Sequence, residues 1–169
     1  MAVLTVSDRS ARGEREDLGG PATVQAIRRY LGWDCELTDV VADDKGPISA
    51  KLCEWADQGQ AQLILTTGGT GFASRDITPE ATHAVIERDT PGLMEAVRAA
   101  SLKVTPHAML SRGVAGIRSH SLIINLPGNP KAVREYIEIL APVLPHALEV
   151  LADSASAESS HRKTPSQLA

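Results

Sequence analysis

The chain has 169 residues, 43% of them hydrophobic, and a formal net charge of -4, which is enough apolar material for one core in one domain. No run of about eighteen apolar residues is present to span a bilayer, and the acidic balance lacks the basic surplus of a general nucleic-acid binder, so neither a membrane nor a nucleic acid is an expected partner. Cys35 and Cys53 form no CxxC pair, which argues against a disulfide framework or a cysteine zinc site.

Strand-like runs at residues 2–6, 35–41 and 62–66 alternate with helical spacing at 21–31 and 47–58. This βαβαβ rhythm predicts a parallel sheet covered on both faces. The first strand has no basic or apolar leader before it, which carries the expectation of a cytoplasmic protein. Asp43 and Asp44 follow the second strand, and Asp44 is the better capping or surface residue. The third strand, with Leu63-Ile64-Leu65, runs into Thr66-Thr67-Gly68-Gly69-Thr70-Gly71, and Asp76-Ile77-Thr78-Pro79-Glu80 follows.

Thr78 is expected to cap a helix over 79–88, with Pro79 at its first position and Glu80 favourable in its first turn. A further helix is expected over 92–101. The stretch 106–118, with Gly113 and Gly116, reads as short strands or loops near a sheet edge. Leu122-Ile123-Ile124 marks a buried strand over 121–126, and a second glycine turn, Leu126-Pro127-Gly128-Asn129-Pro130-Lys131, follows it. Helical spacing over 131–140 is then interrupted by Pro142 and Pro145. Residues 153–169 are Ser, Ala and charged groups with little to bury, so the domain is expected to span 1–152 with a disordered tail after it.

In open α/β sheets ligands gather beyond the carboxyl ends of the strands, so loops 7–20, 42–46, 66–78 and 127–130 are expected to meet at one cleft. The loop at 66–71 has neither a Walker lysine nor a G-x-G-x-x-G pattern. It reads either as a tight turn that needs glycine dihedrals or as backbone amides offered to phosphate. Asp43 and Asp76, on neighbouring strand ends, are a pair able to hold a magnesium ion that bridges phosphate oxygens; a solvated turn is the plainer reading of Asp43.

Nucleotidyl transfer requires little more than such positioning and charge neutralisation. Arg9, Arg12, Arg75, Arg112, Arg118, Lys131 and Arg134 are the cationic candidates, and Ser111-Arg112 and Lys131 are preferred because they adjoin glycine loops. The histidines show no metal-ligand spacing and no serine elbow, which leaves covalent hydrolase chemistry without support. Phe72 is the one aromatic residue inside a glycine motif, so a flat ligand would rest mainly on backbone polar groups and aliphatic walls.

Several motifs in order resemble those of the molybdenum-cofactor biosynthesis family that includes the bacterial Mog and MoaB proteins and the G domain of gephyrin. They are Ser7-Asp8-Arg9; Gly13 with Asp17 and Gly19; Thr66 to Gly71 with Asp76-Ile77-Thr78-Pro79-Glu80-Ala81; Pro91-Gly92; Met109-Leu110-Ser111-Arg112 with Gly116-Ile117-Arg118; and Asn125 through Lys131. The resemblance covers residues 3–152. It implies a three-layer α/β fold around a mainly parallel sheet, and adenylylation of molybdopterin by magnesium-ATP with release of pyrophosphate.

Carried over, it makes Asp43 and Asp76 the catalytic and magnesium-binding pair. It puts Asp8, Thr67, Gly68, Gly69, Thr70 and Gly71 on the nucleotide side, and Ser111, Arg112, Pro127, Gly128, Asn129 and Lys131 on the molybdopterin side. It further implies a homotrimer, or a hexamer in the MoaB branch, and a molybdenum insertase as the downstream partner. Two other readings stay open: a MoaB-type protein that binds molybdopterin or a precursor without catalysis, and a nucleotide-pyrophosphate hydrolase.

Overall fold

In the computed structural model the described residues are 1–162, with side chains through Asp153. Chain order is β1 (Ala2–Val6), α1 (Asp8–Ala11), α2 (Gly19–Leu31), β2 (Leu37–Val41), α3 (Lys45–Asp57), β3 (Leu63–Thr67), α4 (Thr78–His83), β4 (Arg88–Asp89) and α5 (Pro91–Leu102). A 3-10 turn (Pro106–Leu110), β5 (Ala115–Arg118), β6 (Ser121–Leu126), α6 (Pro130–Leu140) and α7 (Leu144–Arg162) complete it. The six strands form one sheet in the order β2-β1-β3-β6-β5-β4. The first four run parallel, and β5 and β4 are added antiparallel at one edge.

The buried strands β1, β3 and β6 read as continuous apolar runs because both of their faces are covered. Val3, Leu63, Leu65, Leu122 and Ile124 point to the side of α2, α5, α6 and α7. Ala2, Leu4, Val6, Ile64 and Ile123 point to the other side, against Ile48, Leu52 and Trp55 of α3 and Ala81 of α4. Each of these fully buried leucines and isoleucines contributes about 1.5–3 kcal/mol relative to exposure. The result is the three-layer α/β architecture expected from the sequence.

Most element ends fall within two residues of that expectation, and three departures have identifiable physical causes. Helix α4 stops at His83 rather than 88, because the chain turns at Val85 and Ile86, whose amides both donate to Thr82 O, and Glu87 N then pairs with Ile117 O of β5. Thr78 does not cap α4: Ile77 holds that position, and the Thr78 hydroxyl donates instead to Gly68 O at 2.9 Å. Helix α7 continues to Arg162, so helix occupies the first part of the segment read as a tail; its alanines and charged residues are good or neutral helix formers that need no burial to extend a helix already begun. Residues 163–169 lie outside the described residues.

The two cysteines are partly buried and unpaired. Burial pushes the Cys35 thiol up, which disfavours the reactive thiolate. Among the described residues no helix is long and apolar enough to cross a membrane.

The chain passes from β1 outward to β2 and returns across β1 to β3. The strand ends of β1 and β3 therefore flank the point where the winding direction reverses, the place where a crevice opens in this architecture.

Candidate active site

A cleft of about 440 Å³ lies at that reversal point, lined by residues from the loops after β1, β2, β3 and β6. The four loops expected to converge each contribute residues to it. Gly68 makes the convergence possible. Its φ of +104° suits glycine, and a Cβ there would lie 2.3 Å from Val6 O, so the turn after β3 packs directly against the end of β1. The second glycine turn rests on the first: Gly68 N donates to Leu126 O, the Thr67 hydroxyl donates to Pro127 O at 2.8 Å, and a Cβ on Gly128 would meet Gly68 Cα at 3.3 Å.

The loops after β1 and β2 are locked by a reciprocal pair of bonds. Asp8 N donates to Asp43 Oδ2 at 2.7 Å, and Asp43 N donates to Asp8 Oδ1 at 3.0 Å. Asp43 Oδ1 faces the glycine loop, 3.3 Å from where a Cβ on Gly69 would stand. On the far side of that loop Asp76 Oδ2 accepts from Ala73 N at 2.9 Å and lies 2.8 Å from the Cβ position of Gly71. Both carboxylates thus border one glycine loop, each with one oxygen held by a backbone amide. Among the described residues no group of three or more His, Cys, Asp or Glu side chains is placed to hold a metal ion, so any ion here would complete its shell with substrate and water oxygens.

Asp17 anchors a third wall. Its Oδ1 accepts from Gly19 N and Gly20 N at the start of α2, and its Oδ2 accepts from the Thr5 hydroxyl. The amide of Gly69, which lines the cleft, donates none of the backbone hydrogen bonds formed in the turns and loops of the described residues, which is the condition for an anion cradle. Of the glycine loop itself, Thr67, Gly68 and Gly69 line the cleft, whereas Thr70 and Gly71 do not.

Asp8, Asp43, Asp76, Thr67, Gly68, Gly69 and Gly128 line one cleft, whereas Ser111, Arg112, Pro127, Asn129 and Lys131, the other residues expected on the pterin side, do not. Arg112 requires correction as a free phosphate clamp. Its Nε donates to Gly71 O at 2.7 Å, its Nη2 to Asp76 O and its Nη1 to Glu80 Oε1, so its side chain braces the glycine loop from outside the cleft. Ser111 ends the preceding 3-10 turn, with its carbonyl accepting from Arg98. Asn129 caps α6 through its side-chain oxygen. Lys131 is 75% exposed on α6 beside Glu135, and Pro127, Asn129 and Lys131 do not line the cleft, whereas Pro130 does. Arg118 is paired with Asp57 away from the site.

The cleft's cations come instead from Arg9, Arg12, Arg15 and Arg75. Arg15 was not among the sequence candidates. The three-residue spacing of Arg9, Arg12 and Arg15 in a loop already expected at the cleft was the signal that could have found it. Arg12 is tied to Glu14 at 2.8 Å.

Residues 2–146 match the family model described as a probable molybdopterin binding domain. The chain belongs to that family. Within the molybdopterin-binding family it is 45% identical to the molybdopterin adenylyltransferase of Helicobacter pylori over 152 residues, covering 89% of this chain and 86% of that protein. It is 43% identical to the molybdopterin adenylyltransferase of Escherichia coli K12, covering 82% of this chain and 71% of that one. Its fold superposes on the crystal structure of the molybdopterin biosynthesis enzyme MoaB from Thermus thermophilus with a TM-score of 0.81 at 48% identity, over 90% of this chain and 95% of that chain.

Proposed function

We propose that this protein is a molybdopterin adenylyltransferase of molybdenum-cofactor biosynthesis, joining the AMP part of ATP to the phosphate of molybdopterin and releasing pyrophosphate. The observation that carries the reading is the presence of Asp43 and Asp76 on one cleft in a chain 43–45% identical to molybdopterin adenylyltransferases. A protein that only held the pterin would have no use for two carboxylates set against its glycine loop.

In the reaction a phosphate oxygen of molybdopterin attacks the α-phosphorus of ATP. A new P–O bond forms as the bond to the oxygen bridging the α- and β-phosphates breaks, and pyrophosphate leaves with the electron pair. Asp43 and Asp76 fit magnesium: each keeps one carboxylate oxygen on a backbone amide and leaves the other available, and Mg²⁺ favours one or two carboxylates with water and phosphate completing an octahedron. Bound there, Mg²⁺ supplies neutralisation of charge on the phosphate oxygens. The Gly69 amide and the guanidinium groups of Arg9, Arg15 and Arg75 orient the nucleotide phosphates, as N–H donors and arginine forks do. The glycine-loop backbone is held before substrate arrives by Gly68 N donating to Leu126 O and Thr78 N donating to Gly69 O, so the Gly69 amide needs little reorganisation during the transfer.

The same proposal places the protein where ATP is, in the cytoplasm, as a homotrimer that hands its product to a molybdenum insertase. The exposed apolar side chains Val104, Met109 and Leu110 support self-association, and light scattering distinguishes one chain mass from three.

The test of function is a mixture of the protein, molybdopterin, ATP and Mg²⁺, followed by chromatography for adenylylated pterin and a pyrophosphate assay. Pterin-dependent pyrophosphate with the adenylylated product is the expected result. Tight pterin binding without product would replace this reading with a non-catalytic binder, and AMP or pyrophosphate from ATP alone would replace it with a hydrolase.

A further inference from the structure

We infer that Arg112 is a positioning residue that sets the place of Asp76 from behind the glycine loop, rather than a contact to substrate; this rests on the adenylyltransferase reading of the cleft. Arg112 leads from the 3-10 turn Pro106–Leu110 toward β5, in a segment remote in sequence from the loop it holds. Its backbone N donates to Thr70 O at 3.0 Å. Its side chain takes Gly71 O, Asp76 O and Glu80 Oε1, so one residue grips both ends of the 71–76 excursion and the first turn of α4.

The excursion needs such a grip. Phe72, Ala73, Ser74 and Arg75 are all exposed, and the hydrogen bonds within the stretch run between Ala73 and Asp76. Inside the loop, then, Asp76 is tied to Ala73, an exposed neighbour within the same excursion. Arg112 connects it to the sheet through β5, and the planar fork of a guanidinium reaches three acceptors where a lysine ammonium offers one point charge. Glu80 Oε2 is buried without a partner, which makes Arg112 the counter-charge of that carboxylate and keeps the fork in place. Displacing a catalytic carboxylate by a fraction of its own size lowers transfer without altering how the pterin docks.

The experiment compares Arg112→Lys with wild type in four measurements: the dissociation constant for molybdopterin, the affinity for Mn²⁺ as a spin probe of the magnesium site, amide hydrogen exchange over residues 70–77, and kcat against KM. The expected result is a kcat about ten- to a hundredfold lower, weaker Mn²⁺ binding and faster exchange over 70–77, with molybdopterin affinity unchanged. Weaker molybdopterin binding with wild-type exchange and Mn²⁺ affinity would overturn the inference and make Arg112 a ligand contact. Faster exchange with unchanged kcat and Mn²⁺ affinity would overturn it too.

Where Arg112→Lys does not fold, Glu80→Gln is read by the same probes, since it removes the charge that anchors Arg112 while keeping the side chain's shape. Faster exchange and weaker Mn²⁺ binding in that variant support the inference, and wild-type values of both refute it. A wild-type protein that makes no adenylylated pterin would end the adenylyltransferase reading, while exchange and Mn²⁺ binding would still decide the role of Arg112.

Discussion

Gly68 and Asp76 show how single positions control this cleft. A side chain at Gly68 would combine a φ of +104° with a Cβ 2.3 Å from Val6 O, and the atom it meets is backbone that cannot rotate away. Gly68→Ala is therefore expected to lose at least ~1–3 kcal/mol of stability, read as a shift in the urea midpoint with unchanged slope; a neutral midpoint would mean that the turn relaxes. Asp76→Asn keeps an oxygen for the Ala73 amide but removes the charge. It is expected to lower kcat about a hundredfold or more through the magnesium site while molybdopterin affinity, measured by titration, stays at the wild-type value. Wild-type turnover would show that the ion sits elsewhere.

Secondary elements are tied together beneath the site by Asn125, which is 1% exposed on β6. Its amide nitrogen donates to the hydroxyls of Thr66 on β3 and Thr82 on α4, and its oxygen accepts from Val114 N just before β5. One side chain satisfies polar groups from three neighbouring segments, and both of the threonines it reaches are fully buried. Asn125→Leu keeps a similar volume but strands those groups, and a loss of about 2–4 kcal/mol is expected in thermal or urea unfolding. A loss below about 0.5 kcal/mol, the scale of ordinary surface changes, would mean that the threonines and Val114 find other partners.

Across the whole molecule, two carboxylate–arginine pairs join distant parts of the chain and give stability a pH dependence. Asp57 is held below the usual carboxylate range by its hydrogen bonds to Arg118, which outweigh desolvation. Burial pushes Glu80 up, but the hydrogen bond and charge of Arg112 outweigh it and leave Glu80 below its ordinary value. For a carboxyl whose folded pKa is depressed, the unfolded chain binds protons first as pH falls. Its contribution is complete above the unfolded pKa and disappears as pH drops through the folded one. Melting temperature is therefore expected to hold near neutrality and to fall below the ordinary carboxylate range. Asp57→Asn and Glu80→Gln should each flatten that fall, and unaltered profiles in both variants would remove these pairs from the account.

What the sequence determined by itself was whatever depends on neighbours along the chain. The apolar run Leu63-Ile64-Leu65 specified a doubly covered strand through burial of consecutive residues. The glycines after it specified a turn through backbone dihedrals, and Asp44 specified the start of α3, where its side chain accepts from Gly46 N. The meeting of loops at one cleft was legible as well, since strands alternating with helices force parallel pairing and place the loops at one end of the sheet.

Tertiary structure alone decided which side chains face that cleft. Arg112 finds its acceptors 32 to 41 positions back along the chain, and Asp8 and Asp43 are 35 apart. Such partnerships follow from where two segments pack, and no local pattern encodes them. The sequence accordingly marked Arg112 as a cation beside glycines, and the packed chain turned it inward to hold the loop while Arg9, Arg15 and Arg75 came to line the cleft.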